Sequence, residues 1–343
     1  MKTILTTTAF ALIAPMALAD EIRVLNWQGY GTDIAWAIAA YTEATGNTVV
    51  HEYFTSEQEM LTKLRTNPGA YDVVLINSAF TGQAQAEGLI APIDASKIPN
   101  FKDVDPALAA NADLNPAGAL HGVPWTWGLT SFAVNTGDFP TPPTSVSVFW
   151  DPAFKGRISI RDDALEAVQF AALATGQNIN DIKDMAAVKA KLTALMPQIA
   201  TFWGAETDWN QNMAAGQFAA ATYWSGSAAR SISEGLPVAF VVPDEGAIGW
   251  LDGLSIPATS THQDAALAFI NWMIDPAFYV KWDTEGAPAT SNTAAAAALP
   301  ESSFNRKVLG DPAVVARVQF MRPVSDEKRA EYLALWQELK AAQ

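Results

Sequence analysis

The sequence predicts an α/β fold in two lobes, and three observations carry that expectation. Between residues 22 and 87, apolar β-branched runs alternate with helical patterns, the signature of a largely parallel sheet covered by helices. Two long extended stretches, residues 124–135 and 246–257, bracket a middle region with its own strand–helix alternation. The 343 residues suffice for two domains of ordinary size.

Residues 22–27 read as a first strand, broken by Gly29 and Gly31. Thr32 is placed to cap a helix that runs to about Thr45 and stops at Gly46. Residues 48–54, β-branched and aromatic, make a second strand. Ser56 and Glu59 form a capping box for a helix ending before Asn67-Pro68-Gly69. Residues 71–76 are a short apolar run, as in a buried parallel strand, and a helix follows over 81–87. Ligands of such sheets sit beyond the carboxyl ends of the strands, here residues 27–30 and 77–80.

The first extended crossing is followed by the Pro-rich stretch 139–143. Strands are expected over 157–161, 219–224 and 236–242. Helices are expected from Asp162 or Asp163 to about Thr175, over 184–195 and near 208–215. The second extended stretch returns the chain to helices over 264–274 and 277–285. Residues 294–298 are helix-compatible. Ser325 caps a last helix with Tyr332, Leu335, Trp336 and Leu339 on adjacent positions of one face.

Composition excludes several classes. The chain is 50% hydrophobic and 17% charged, which is globular. Its net charge of −15 disfavours nucleic acid, whose phosphates need basic patches. With no Cys there are no disulfides, no thiolate metal sites and no Cys nucleophile. His51, His121 and His262 stand singly, without metal-ligand spacing. No phosphate-cradling glycine loop and no nucleophile elbow is present. Residues 1–19 read as a cleavable signal peptide, with Lys2, a short apolar run and Ala17-Leu18-Ala19. No Cys follows, so a lipoprotein is not expected, and export to a periplasm is.

In residues 246–257, Trp250 and Asp252 fall on one side of a strand. An aromatic face beside a carboxylate suits an organic cation. Taken alone, a core Trp beside a turn Asp is the better reading; the position at the re-crossing favours a cleft. Asp163 and Glu166, three apart at a helix start, fit a cation site or an N-cap and its partner equally well. A paired-carboxylate hydrolase using them is a minor alternative. Ser225-Gly226-Ser227 reads as a turn. Trp27, Tyr30, Phe80, Trp125, Trp127, Trp224 and Trp250 are each better read as core when taken singly, and their clustering near strand ends or crossings raises the ligand-site reading above that baseline.

The phrases Leu25-Asn26-Trp27-Gln28-Gly29-Tyr30, Pro124-Trp125-Thr126-Trp127-Gly128, Asp162-Asp163-Ala164-Leu165-Glu166, Trp224-Ser225-Gly226-Ser227 and Gly249-Trp250-Leu251-Asp252-Gly253 come in an order that resembles the periplasmic spermidine/putrescine-binding proteins of ABC importers. The resemblance spans about residues 22–340. It implies a two-lobed periplasmic-binding-protein fold (type II), each lobe a mostly parallel mixed sheet flanked by helices, joined by two crossing hinge strands. The N-terminal lobe would be 20–130 with 256–306, and the C-terminal lobe 131–255 with 307–343. It implies a ligand site at Trp27, Tyr30, Ser78, Asp163, Glu166, Trp224, Trp250 and Asp252. Carboxylates would grip amino groups while rings stack on aliphatic carbon. The implied partners are a small cationic ligand and an inner-membrane ABC permease, with no nucleic acid, no cofactor, no catalysis and a monomeric state. Polyamine binders carry Tyr where this chain has Ala79, and Gly-Tyr-Pro where it has Gly286-Ala287-Pro288. A Gln expected near Met321 or Arg322 has no clear counterpart. These departures admit a quaternary amine or an amino-acid-derived solute as the alternative ligand.

Overall fold

The computed structural model describes residues 20–342; the expected signal peptide lies outside the described residues. Ten strands form one mixed sheet. In chain order they are β1 (Glu21–Asn26), β2 (Thr48–Tyr53), β3 (Val73–Asn77), β4 (Val123–Asn135), β5 (Ile158–Ser159), β6 (Ala220–Trp224), β7 (Val238–Val241), β8 (Ala247–Ser255), β9 (Ala289–Thr290) and β10 (Val318–Phe320). The main path runs β2-β1-β3-β8-β4-β6-β5. β1 pairs parallel with both β2 and β3, as the apolar runs predict. β8 then enters antiparallel to β3 and β4. β3 is buried on both faces, whereas β2 alternates between exposed and half-buried as the edge strand.

The apolar side chains divide between two principal cores. One gathers β1, β3, the start of β4, the end of β8 and the helices Gln263–Met273 and Pro276–Asp283. The other gathers Phe132, Val134, the helices Ala164–Ala174 and Met185–Leu195, and Tyr332, Trp336 and Leu339 of the last helix, Asp326–Ala341. β4 runs from the first core, at Val123 and Trp125, to the second, at Phe132 and Val134, and β8 runs from the first core, at Leu254, to smaller clusters at Ala247 and Ile248.

The expected caps form at Ser56, Asp163 and Ser325, each accepting a backbone N–H of the first turn, and Asp184 caps the helix Met185–Leu195 in the same way. The box at Ser56 is displaced by one residue: Glu59 reaches back to the N–H and hydroxyl of Thr55, not to Ser56. Other expectations are corrected. Thr32 caps nothing; its hydroxyl accepts from Asn26 Nδ2 at 2.8 Å, and the helix starts at Ala35 with no side-chain cap. The helix expected at 81–87 begins at Ser78, capped by Asn77. The strand expected over 157–161 shrinks to Ile158–Ser159. Ser225-Gly226-Ser227 is no turn but the first turn of the helix Ser225–Ser233.

A second aromatic anchor sits beside β6. Trp209 and Tyr223 stack with ring centroids 3.5 Å apart, and Trp209 Nε1 donates to the Thr222 carbonyl. Trp209 is fully buried. Trp209→Ala is expected to cost about 3–5 kcal/mol, read as a lower urea midpoint at unchanged denaturant slope.

Candidate functional site

Strand register assembles the site. Asp252 on β8 pairs with Asn77 on β3 and with Thr126 on β4, so the three side chains share one face. Two residues along, Trp250 pairs with Gly128, and Thr130 pairs with Trp224 on β6. A Cβ on Gly128 would fall 2.3 Å from the Trp250 ring and 2.7 Å from Ser225 Oγ. Only glycine there lets the indole lie flat across β4. The indole N–H of Trp250 is buried without a partner.

Asp252 is the centre of this face. Its Oδ2 accepts from the Tyr30 hydroxyl at 2.8 Å, and its Oδ1 accepts from Asn77 Nδ2 at 2.9 Å. The Tyr30 hydroxyl also lies 3.2 Å from Thr126 Oγ1. Tyr30 is positioned by buried Asn26, whose Nδ2 donates to the Tyr30 carbonyl, and by edge-on contacts with Trp125 and Trp282. Burial pushes the Asp252 carboxyl up to about 6, against the stabilising bonds from Tyr30 and Asn77. Burial, reinforced by the Asp252 charge, holds the Tyr30 phenol protonated well above its ordinary range.

Glu57, first residue of the helix Glu57–Thr66, is a second carboxyl at this point. Burial and then the Asp252 charge push it up to about 8, while the Asn77 backbone and Arg329 pull the other way. Its Oε2 is buried without a partner. Arg329, from the last helix, lies 4.2 Å from the Phe80 ring centroid, so the C-terminal helix touches the first core here.

The other carboxylate pair already has a cation. Arg161 Nη1 lies 2.8 Å from Glu166 and 3.7 Å from Asp163, with its guanidinium 4.7 Å from the Trp224 ring centroid. Trp224 Nε1 donates to Glu166 Oε1 at 3.4 Å. Asp163 also caps its helix through Oδ1. Burial disfavours the Arg161 charge, but Glu166 and Asp163 outweigh it and hold the guanidinium above its usual range. For Glu166 burial prevails over Arg161, and its carboxyl is raised.

Of the expected site residues, Tyr30 and Asp252 are hydrogen-bonded to each other. Trp250 continues the same face, and Ser78 opens the helix directly after Asn77. Asp163, Glu166 and Trp224 form a separate cluster with Arg161. Trp27 lies further out, edge-on to Phe54 at 4.5 Å. Trp125 and Trp127 are structural, donating to the carbonyls of Met273 and Thr290. Sequence reasoning missed Asn77, Thr126, Glu57 and Arg161. Asn77 and Arg161 stood at predicted strand ends; Glu57 was hidden inside the capping box. Ala79 and Ala287 are buried. The 286–288 turn is gripped by Arg230, which donates to the Gly286 carbonyl, and by Asn305, which donates to that of Ala287. Among the described residues no three acidic or histidine side chains could hold a metal ion, and no helix is long and apolar enough to cross a membrane.

Two crossing strands, two cores and a face carrying an acid and aromatics are the features of a solute-binding protein. Residues 36–308 match the bacterial extracellular solute-binding protein family, and the chain belongs to it. The spermidine/putrescine-binding periplasmic protein of Salmonella typhimurium is 31% identical over 327 residues, 94% of this chain and 92% of that one. A putrescine-binding periplasmic protein of Pseudomonas aeruginosa is 26% identical over 80% of each chain. A solved putative spermidine/putrescine ABC transporter structure from Listeria monocytogenes superposes with a TM-score of 0.82 at 25% identity, covering 94% of this chain and 99% of that one.

Asp252 has a folded pKa above its unfolded value, so its contribution to stability is full below about pH 4 and is lost as pH rises through about 6. Between those limits the ligand-free protein is expected to lose stability, to the order of 3 kcal/mol from this group. Asp252→Asn should remove that part of the decline. Urea titrations at pH 4, 5, 6 and 7 on both proteins measure it.

Proposed function

We propose that this protein is the periplasmic solute-binding component of an ABC importer, and that it captures a small organic amine of the polyamine class or a related cation. The observation that carries the reading is Asp252: a buried carboxylate held by a phenol and an amide, with an indole beside it on the same face. Neutral donors orient such a carboxylate without cancelling its charge, and an ammonium completes it. Trp250 would cover the adjoining carbon chain. The names of the relatives, for spermidine and putrescine, support the same class.

The rest of the reading follows from this role. The lobes 20–130 with 256–306 and 131–255 with 307–343 close on the ligand, with β4 and β8 bending near residues 130 and 255. Residues 1–19 direct export and are cleaved, leaving no lipid anchor. The closed monomer delivers its ligand to an inner-membrane permease and turns nothing over. A hydrolase at Asp163 and Glu166 is opposed by their commitments, one to a helix cap and the other to Arg161.

A thermal-shift panel of putrescine, spermidine, cadaverine, choline, betaines and amino acids tests the ligand class. An amine at about 100 times its dissociation constant adds about 2.7 kcal/mol of stability. Silence from every amine, with stabilisation by a sugar or an inorganic anion, would sink the reading.

Affinity for the amine should also depend on pH. It is expected to hold level above about pH 6 and to fall by up to about tenfold per unit below, as Asp252 takes up a proton. Calorimetric titrations from pH 5 to 8 measure this. A profile flat across that range would remove Asp252 from the site.

A further inference from the structure

We infer that Arg161 is a built-in cation occupying the second carboxylate site of this face, so that the protein selects ligands with one cationic head over diamines. The inference rests on the amine reading above and concerns only what the far end of the ligand can carry.

Each carboxylate around the face can be followed to its counter-charge. Glu206 is taken by Arg230 at 2.6 Å. Glu166 and Asp163 share one nitrogen of Arg161, at 2.8 and 3.7 Å. Glu57 makes no ion pair among the described residues, and burial, with the Asp252 charge beside it, pushes its carboxyl up to about 8, so it keeps its proton near neutrality. Asp252 is left with a phenol and an amide, and makes no ion pair among the described residues. Asp252 is therefore the carboxylate with no side-chain cation at hand, whereas the Asp163–Glu166 pair already holds one and keeps at most one net negative charge with it.

The Asp163–Glu166 end has the parts of a second ammonium site, namely two carboxylates and an indole. All three are engaged by the guanidinium, which lies 4.7 Å from the Trp224 centroid. A second ammonium arriving there would meet a like charge in a half-buried setting where water screens weakly. The register fixes the spacing. Asp252 pairs with Thr126 and Trp224 with Thr130. Along β4, Asp252 and Trp224, whose indole N–H reaches Glu166, are therefore offset by about 13 Å at ~3.3 Å per residue. Trp250 lies between them, suited to the uncharged middle of a ligand.

The test is calorimetric titration of the purified protein with a matched pair long enough to reach from Asp252 toward Arg161, n-octylamine against 1,8-diaminooctane. Wild type is expected to bind the monoamine at least about tenfold more tightly than the diamine of equal length. Arg161→Gln keeps a donor toward Glu166 and removes the charge. It is expected to improve diamine binding by about tenfold while leaving the monoamine within about threefold. Wild type binding the diamine as well as the monoamine overturns the inference and leaves the amine reading standing. A monoamine preference that Arg161→Gln does not change overturns the role of Arg161. If no amine of either kind binds, the amine reading falls and this inference with it. Should Arg161→Gln fail to fold, Arg161→Met carries the same test of the guanidinium charge.

Discussion

A carboxylate removed from water without a cation beside it is the constraint on which the rest of this molecule depends. Asp252 lies on the central strand of the sheet, where no long basic side chain reaches it. What reaches it are short, rigid neutral donors. Asn77 is the last residue of β3 and the cap of the following helix, so one side chain both accepts from Ala79 and donates to Asp252. Tyr30 is held from behind by Asn26, Trp125 and Trp282. The fold thus keeps a destabilised charge ready for an occupant, at a cost in the stability of the empty protein.

Much of the fold was legible because its signals are local. Ser56, Asp163 and Ser325 cap helices through bonds spanning a few residues, and β3 is marked by five consecutive residues with one fate. The misreadings have tertiary causes. Thr32 has the chemistry of a cap, but its hydroxyl is claimed by Asn26 from the preceding strand. The helix Ser225–Ser233 has no side-chain cap, because its N-cap residue is Trp224, while the Ser225 hydroxyl inside the first turn accepts from Leu129 on β4. Composition around Gly226 therefore said turn while packing said helix.

The site shows the same division. That Trp250 and Asp252 share a face follows from strand periodicity. That Asp252 is flanked by Asn77 and Thr126 follows only from register across strands far apart in sequence. Asp163 and Glu166 fitted a cap and a cation site equally well. The structure uses both readings: Asp163 caps, and the cation beside the pair is a side chain of the same protein, Arg161. Trp125 and Trp127 stood in the same motif as Thr126, yet both indoles are spent on carbonyls of the β9 and 263–273 regions. Aromatic clustering marked the neighbourhood without separating lining from support.

The pairing of β4 with β8 from residue 123 to residue 130 has a mechanical consequence. Over residues 128–129 and 250–251 each of these strands has only the other as a sheet neighbour among the described residues, with β3 joining at Asp252 and β6 at Thr130, and a two-stranded stretch twists more than a wider sheet. The lobe rotation proposed above would be taken up by winding or unwinding this stretch. Asp252 and Trp250 ride on β8 itself, two residues apart, so their spacing stays constant through the whole excursion. The anchoring pair of the proposed site therefore keeps its geometry through such a rotation.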